Sequence, residues 1–374
     1  MNRTKLNVLV VGQTPPPVHG QAVMIQELLD GQYDGIELHH VRLHFSRSFD
    51  EAGAFHVRKV FVLVQTLTAI VVGRWRSRAQ ILYYPPAGPM INSVIRDIVL
   101  LTCTRWLFER TVFHFHAAGL PEFCHRLPRW LKPFINLAYR KANLAIFVSE
   151  SAASAGNAFA AKEIVVIPNG VPDSSQLALS DLPDVRDGVV HILFMGILCE
   201  GKGLLTLIEA CSLLQKDGLS FHLVCAGAFA SESFKKEVEQ QIKTHDLTEV
   251  IQFPGVLSGT EKWKAFREAD VFCFPSHYQC ENFPVVLIEA MSFGLPIVTT
   301  RWRGIPDVVG GSGGALLVEP RMPRLVAEGL SALMRDVELR ASMGSKNRMW
   351  FCDYYTLAKF REKMEMALQK VGSL

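Results

Sequence analysis

Short apolar runs recur along the chain, separated by segments of helical periodicity and by loops rich in glycine and proline. Residues 6–11 (LNVLVV) open the pattern as an almost uninterrupted apolar strand that Gly12 ends. Further strands are predicted at 36–43, 81–84, 192–195, 270–274 and 296–300, and within TVFHFHAAG, ANLAIFVSE, EIVVIPNGV, FHLVCAG, VIQFPGV and ALLV. Helices are predicted at 22–29, 57–72, 92–109, 231–245 and 356–371, from 149, 204 and 323 onward, and in TEKWKAFREAD and VVLIEAMSF. Strands and helices alternate with short loops, which implies parallel sheets. A stretch dense in Ser, Asp and Pro reads as an interdomain linker. The chain therefore divides into 1–172, a linker at 173–188, 189–350 and a terminal helix at 351–374.

The segment 270–300 concentrates the candidate chemistry. It reads as strand, polar loop, helix and strand, with Pro284 at the helix mouth and Gly294 at its end. The helix is apolar on almost every side and should be buried, yet it carries Glu289. A buried carboxylate needs a partner, because desolvation is expensive. Glu281 lies eight residues earlier, and the helix N-terminus between the two favours an anion such as phosphate. Two carboxylates beside a phosphate site suit a ligand with hydroxyls at both ends and phosphates in the middle, as in a sugar nucleotide. The alternative is a Glu buried against an Arg and a second Glu solvated in its loop.

The spacing in ENFPVVLIEAMSFGLPIV closely resembles the E-x7-E signature of retaining GT-B glycosyltransferases, specifically the GT4 family of bacterial polysaccharide enzymes. The resemblance implies two Rossmann-like, doubly wound parallel-sheet α/β domains facing a cleft, with the terminal helix crossing back to the first. It further implies that Glu281 meets the donor sugar and Glu289 the ribose. Groups around Asn282, Phe283, Pro284 and Val285 would line the sugar and diphosphate. Family members often have Gly at the positions of Asn282 and Pro284.

Other loops carry parts of the same pattern. In GQTPPPVHGQAV, Gly20 matches the family's first loop, and His19 replaces its first Gly. Read without the family, this loop is either a phosphate- or sugar-facing mouth or a rigid surface turn. His114 and His116 share a strand face, and His116 reaches the carboxyl end of the sheet. It is a core residue by spacing alone and approaches the donor sugar by resemblance. Strand, loop and helix recur at HILFMGILCEGKGLL, where Gly196 opens the loop and Lys202 precedes the helix. The family shows G-R-L-x-x-x-K-G there, with Arg and Lys both on the diphosphate. Here Ile197 takes the Arg position and one phosphate cation is lost. The loop at 299–307 resembles a family loop ending in G-x-P-E, with Asp307 for Glu; Arg301 or Arg303 would supply the missing cation. His116, Glu281 and Lys202 are the catalytic candidates, and Gly20, Gly196 and Lys202 join the donor-binding set.

The chain has 374 residues, and its formal charge of +3 is unevenly spread. Residues 1–180 hold 18 Lys and Arg against 12 Asp and Glu; the remainder hold 21 against 24. That imbalance is too small for nucleic acid but suits an anionic membrane or a phosphorylated acceptor. Eight scattered Cys with no C-x-x-C read as buried, reduced thiols, including Cys103, Cys225 and Cys273. The N-terminus reads as a strand rather than a signal peptide. The apolar run at 60–72 is too short to span a bilayer and reads as a core helix with solvated ends rather than a membrane-surface helix. No D-x-D or His/Asp cluster appears, so no metal or other cofactor is expected.

The expected reaction is hexose transfer from a nucleoside-diphosphate sugar to a lipid-linked or saccharide acceptor, in the cytoplasm or at the inner membrane face. A sugar-nucleotide epimerase and a catalytically weak donor-binding partner are the alternatives. An NAD dehydrogenase is disfavoured, because the first strand lacks the glycine fingerprint.

Overall fold

A computed structural model describes residues 5–16, 19–43, 57–175 and 188–373; the side chains of 57–59 and 154–157 are outside the description. The chain forms two compact units, Met1–Gly170 with Leu357–Leu374, and Val171–Thr356. Most of the expected linker, residues 176–187, lies outside the described residues.

The first unit runs β1 (Leu6–Gly12), α1 (Gly20–Leu29), β2 (Ile36–Arg42), α2 (Val57–Ser77), β3 (Ile81–Tyr84) and α3 (Ile91–Thr104). It continues through β4 (Arg110–Phe115), α4 (Leu120–Arg126), α5 (Lys132–Tyr139), β5 (Leu144–Phe147), α6 (Glu150–Gly156) and β6 (Glu163–Val166). The second unit runs β7 (Val190–Met195), α7 (Leu204–Lys216), β8 (Phe221–Ala226), α8 (Glu232–Thr244), β9 (Ile251–Gly255) and α9 (Gly259–Glu268). Then come β10 (Val271–Phe274), α10 (Val285–Ser292), β11 (Ile297–Thr300), α11 (Ile305–Val309), β12 (Ala315–Val318), α12 (Pro323–Arg335) and α13 (Val337–Tyr354). The last helix, α14 (Leu357–Ser373), returns to the first unit.

Both sheets are six-stranded and parallel, ordered β2-β1-β3-β4-β5-β6 and β12-β11-β10-β7-β8-β9. Helices cover both faces of a parallel sheet, so its central strands need apolar side chains on both sides. All four residues of β3, β5, β10 and β11 are accordingly buried. In the first unit, α2, α3 and α5 cover one face, where Ile70, Ile98 and Ile135 meet Phe113 and Phe115. The other face carries α1 and α14, with Phe360, Met364 and Val371 against Val8, Val10 and Ile25. Arg361 fixes α14 to α1 through Glu27 at 3.1 Å, and Arg110 donates to the Gly372 carbonyl at 2.8 Å.

Several expectations need correction. The helix expected at 57–72 extends to Ser77 and is not a core helix: Phe61 is 63% exposed and Trp75 67%. Only its inner stripe, including Thr66, Ile70 and Gly73, faces the sheet. The helix expected at 92–109 stops at Thr104 and continues as one tight turn, Arg105–Leu107. Cys103 is exposed rather than buried; none of the eight cysteines is in a disulfide. The loop at 299–307 ends in a short helix, α11, with Asp307 in its first turn. Finally, α13 had no counterpart in the sequence reading.

Candidate active site

Ligands of open parallel sheets gather beyond the carboxyl ends of the strands, where the strand order reverses. In the second sheet that point lies between β7 and β10. The loops leaving these two strands carry Lys202 and Glu281.

Two glycines bring the loops together. Gly196 leaves β7 at φ 152°, and Gly203 precedes α7 at φ 82°, in the left-handed region. A Cβ at Gly203 would strike the Pro275 carbonyl. Glycine therefore permits the contact between the loops that a side chain would block. The His277 N–H donates to the Gly201 carbonyl at 2.8 Å and completes the junction.

At this junction Lys202 Nζ lies 2.6 Å from Glu281 Oε2, and Ser276 Oγ donates to the same oxygen at 2.7 Å. The ammonium also lies 4.9 Å from the Tyr278 ring centroid and 5.3 Å from that of Phe274. Aromatic faces and a carboxylate thus hold a cation that bare sequence reasoning would leave in solvent. Glu281 is buried and paired, which rules out the solvated-loop alternative.

Glu289 lies one turn inside α10 and is buried. Its Oε1 lies 2.5 Å from Lys262 Nζ on α9, so its partner is a lysine rather than the Arg of the structural alternative. Oε2 is buried with no hydrogen-bond partner. Burial raises the carboxyl pKa, and Lys262 opposes that rise. An ionised oxygen without a donor is costly inside a protein, and a ligand hydroxyl would satisfy it. Between the two carboxylates, Pro284 occupies the position before α10, and no side chain caps the helix. The Leu287 N–H donates to the Pro284 carbonyl at 3.1 Å, which leaves the first N–H groups, those of Val285 and Val286, to face an anion. Asn282 and Phe283 are buried; Phe283 packs edge-on to Tyr355 with centroids 5.5 Å apart.

Gly20 and His116 belong to the first unit. Gly20 starts α1, and His19 Nδ1 caps it by accepting from the Ala22 N–H at 3.3 Å. His116 follows β4, its ring 4.0 Å from that of His114, which meets Tyr83 Oη at 2.5 Å. Burial first, and then the nearby His19, push the His116 pKa down to about 3. His116 is therefore neutral at pH 7, suited to hydrogen bonding rather than to carrying charge.

Of the suggested extra cations, Arg301 faces Glu319 at 4.0 Å, and Arg303 lies over the Trp302 ring at 5.8 Å. Among the described residues, no group of three His, Cys, Asp or Glu side chains could hold a metal ion. Lys262, Ser276 and Tyr278 were not singled out from sequence. Tyr278 and Ser276 flank the strand end beside Glu281, which is a usable signal; nothing local marked Lys262.

Residues 184–350 match the family described as Glycosyl transferases group 1. This stretch is similar to the group 1 glycosyltransferases. WcaL of Escherichia coli K12, a protein assigned to colanic acid biosynthesis, is 32% identical over 147 residues, covering 38% of this chain and 36% of WcaL. The amylovoran biosynthesis glycosyltransferase AmsK of Erwinia amylovora is 32% identical over 171 residues, covering 44% and 38%. The chain thus spans less than two-fifths of each of these relatives. Likeness in fold extends much further. A glycosyltransferase from Rickettsia africae superposes with a TM-score of 0.74 at 17% identity, covering 98% of both chains. HepE of Anabaena, solved with UDP and glucose, gives 0.72 at 16% identity, covering 98% of this chain and all of its own. The two parallel six-stranded sheets with flanking helices have the GT-B fold.

Proposed function

We propose that this chain is a nucleotide-sugar-dependent glycosyltransferase of the GT4 type. It transfers a hexose from a UDP- or GDP-linked donor to a hydroxyl of a lipid-linked or saccharide acceptor, with retention at the anomeric carbon and without a metal. The observation that carries this reading is the layout around α10. The Glu281–Lys202 pair lies at the loop leading into α10, and Glu289, one turn inside the helix, keeps a buried oxygen without a partner. That order of groups matches sugar, diphosphate and ribose.

In this reading, Glu289 Oε2 accepts a hydrogen bond from a ribose hydroxyl while Lys262 keeps the carboxylate charged. The Val285 and Val286 N–H groups at the start of α10 and the Lys202 ammonium hold the diphosphate and stabilise its charge as the glycosidic bond breaks. Glu281 orients the donor sugar, and His116, in the first unit, is neutral at pH 7 and serves as a hydrogen-bonding rather than a charged group. The departing phosphate takes the acceptor proton, so the protein supplies position and electrostatics rather than an acid–base pair. Two comparisons support the reading: HepE binds UDP-glucose, and the relatives serve colanic acid and amylovoran synthesis. Eight cysteines outside disulfides suit the cytoplasm, where the reaction is placed. Ile197, at the family's Arg position, favours one second reading, a catalytically weak donor-binding partner.

Calorimetry with UDP, GDP, their sugars and NAD, all in EDTA, tests the proposal. Binding of one nucleoside diphosphate and its sugar, lost in Glu289→Ala, is the expected result. Binding of NAD alone, or of nothing, overturns it; binding without transfer to any lipid-linked acceptor selects the partner reading.

A further inference from the structure

The first unit carries an apolar surface that none of the described residues covers. Along α2 the exposed side chains Phe61, Val64, Val72 and Trp75 follow helical spacing, with Val60 and Val71 beside them. The neighbouring α3 exposes Ile91 and Ile95, and Trp106 in the turn after it is 75% exposed. On the far side of α3, Trp130, Phe134 and Leu137 form a third outward stripe along α5 and the turn before it. These helices lie side by side on one sheet face, since α3 packs against both α2 and α5. Arg74 ties α2 to the turn through the Leu107 carbonyl at 2.9 Å, and Arg105 ties the turn to α5 through the Arg140 carbonyl at 2.7 Å. A soluble monomer seldom leaves so extended an apolar face open.

We propose that this face is a peripheral docking surface for a bilayer rich in anionic phospholipid. Charge selects the occupant. Residues 57–141 contain thirteen Lys and Arg against three acids, Asp97, Glu109 and Glu122. Asp97 is buried within a network of Tyr84, Tyr139 and Arg96 and adds nothing outside. Exposed Arg76, Arg78, Arg129, Lys132, Arg140 and Lys141 stand among the apolar side chains. A cavity of about 590 Å³ opens beside Trp106 and Leu137, lined by Arg105, Arg140 and Lys141 as well as Glu109. Aromatic and aliphatic side chains bordered by cations suit the boundary between headgroups and acyl chains. A second copy of the chain would instead bring like charge against like.

The helix α2 is long and apolar enough to cross a membrane by length and composition. Its inner stripe is already taken, however: Ile70 is in the sheet core, and a Cβ at Gly73 would touch Leu9 and Val41 at 3.2 and 3.3 Å. In this fold α2 lies along the sheet and offers the bilayer only its outer side.

Co-sedimentation of the full chain with vesicles tests the surface. Vesicles of phosphatidylcholine with about one-third phosphatidylglycerol should capture it, and pure phosphatidylcholine should not. Phe61→Ser/Trp75→Ser/Phe134→Ser should weaken capture at least about tenfold with an unchanged melting temperature, since all three side chains are exposed. Arg76→Glu/Arg140→Glu/Lys141→Glu should do the same with the apolar stripe intact, and salt at about 0.5 M should mimic it. Absent capture, equal capture by both vesicles, or capture unaffected by either variant overturns the proposal. So does a concentration-dependent dimer, abolished by the serine variant, in a chain that ignores vesicles. Nucleotide binding is read out separately, so the donor-site reading can fail while this one stands.

Discussion

Replacing Lys262 by methionine asks how the second unit keeps an ionised carboxylate inside it. The Lys262 and Glu289 side chains are 22% and 8% exposed, with 2.5 Å between Nζ and Oε1. Breaking a buried pair from one side costs about 3–5 kcal/mol. Water reaches Lys262 in part, which discounts the loss to about 2–3 kcal/mol. Glu289 escapes some of that cost by taking a proton. Burial already raises its pKa above the ordinary 4.5, and loss of the ammonium removes the group opposing that rise. The folded state then binds more protons than the unfolded state above about pH 4.5, so stability falls as pH rises through this window.

Lys262→Met should therefore approach wild-type stability near pH 5 and lose about 2–3 kcal/mol by pH 8. Urea unfolding followed by circular dichroism at pH 5, 6.5 and 8 measures the difference. Adding Glu289→Gln should recover most of the loss at pH 8, because no charge is then left buried. A loss independent of pH, or no recovery in the double variant, would show that Lys262 does not hold the charge of Glu289.

Lys202→Met should lower turnover about 10²–10³-fold, with little effect on binding of the nucleoside without phosphates; equal losses in both would refute a role on the diphosphate. Gly203→Ala should cost about 2–3 kcal/mol in a thermal melt, because φ is 82° and the added Cβ meets the Pro275 carbonyl. A shift of less than about 0.5 kcal/mol would mean that the two loops separate freely. His116, with its pKa near 3 when folded and 6.5 when exposed, binds more protons in the unfolded chain between those values. Its contribution is whole above pH 6.5 and declines as pH falls, by up to about 1.4 kcal/mol per pH unit. His116→Asn should remove that slope, and parallel wild-type and variant profiles between pH 6.5 and 4 would refute the assignment.

Much of the second unit could be read along the chain because its sheet demands a local pattern. A central parallel strand must be apolar on both faces, so VFCF and IVTT announce themselves. Glu289 stood out for the complementary reason, as a carboxylate in a helix that could not solvate it, and Glu281 for its place eight residues earlier in the loop at that helix's mouth. Their partners were not legible. Lys202 is 79 residues from Glu281, and Lys262 is 27 from Glu289. Such pairings depend on how loops and helices meet, and a lysine on an amphipathic surface helix looks the same whether or not it reaches inward. The helix α13 escaped for a related reason. Its buried stripe, Met343, Gly344, Asn347 and Phe351, has helical spacing but not an apolar composition. Gly344 lets the backbone of Gly294 approach, and Asn347 Nδ2 donates to the Leu295 and Gly314 carbonyls at 2.7 and 2.8 Å. Those positions are specified by neighbouring backbone, which no periodicity of the helix itself encodes.

The contrast between α10 and α2 shows where pattern reasoning stops. Both helices carry long apolar runs, and both were expected to be buried, α2 with solvated ends. For α10 the inference holds, because α13 covers the side that the sheet leaves open, and Leu287 to Ser292 are all buried. For α2 it fails, because the described residues place no further layer over Phe61, Val64 and Trp75. An apolar sequence states that a surface disfavours water; the number of layers available to cover it is a property of the whole chain. When the fold supplies one layer too few, the same composition that describes a core describes a surface awaiting something outside the protein. The arginines and lysines around α2, α3 and α5 give that partner its charge.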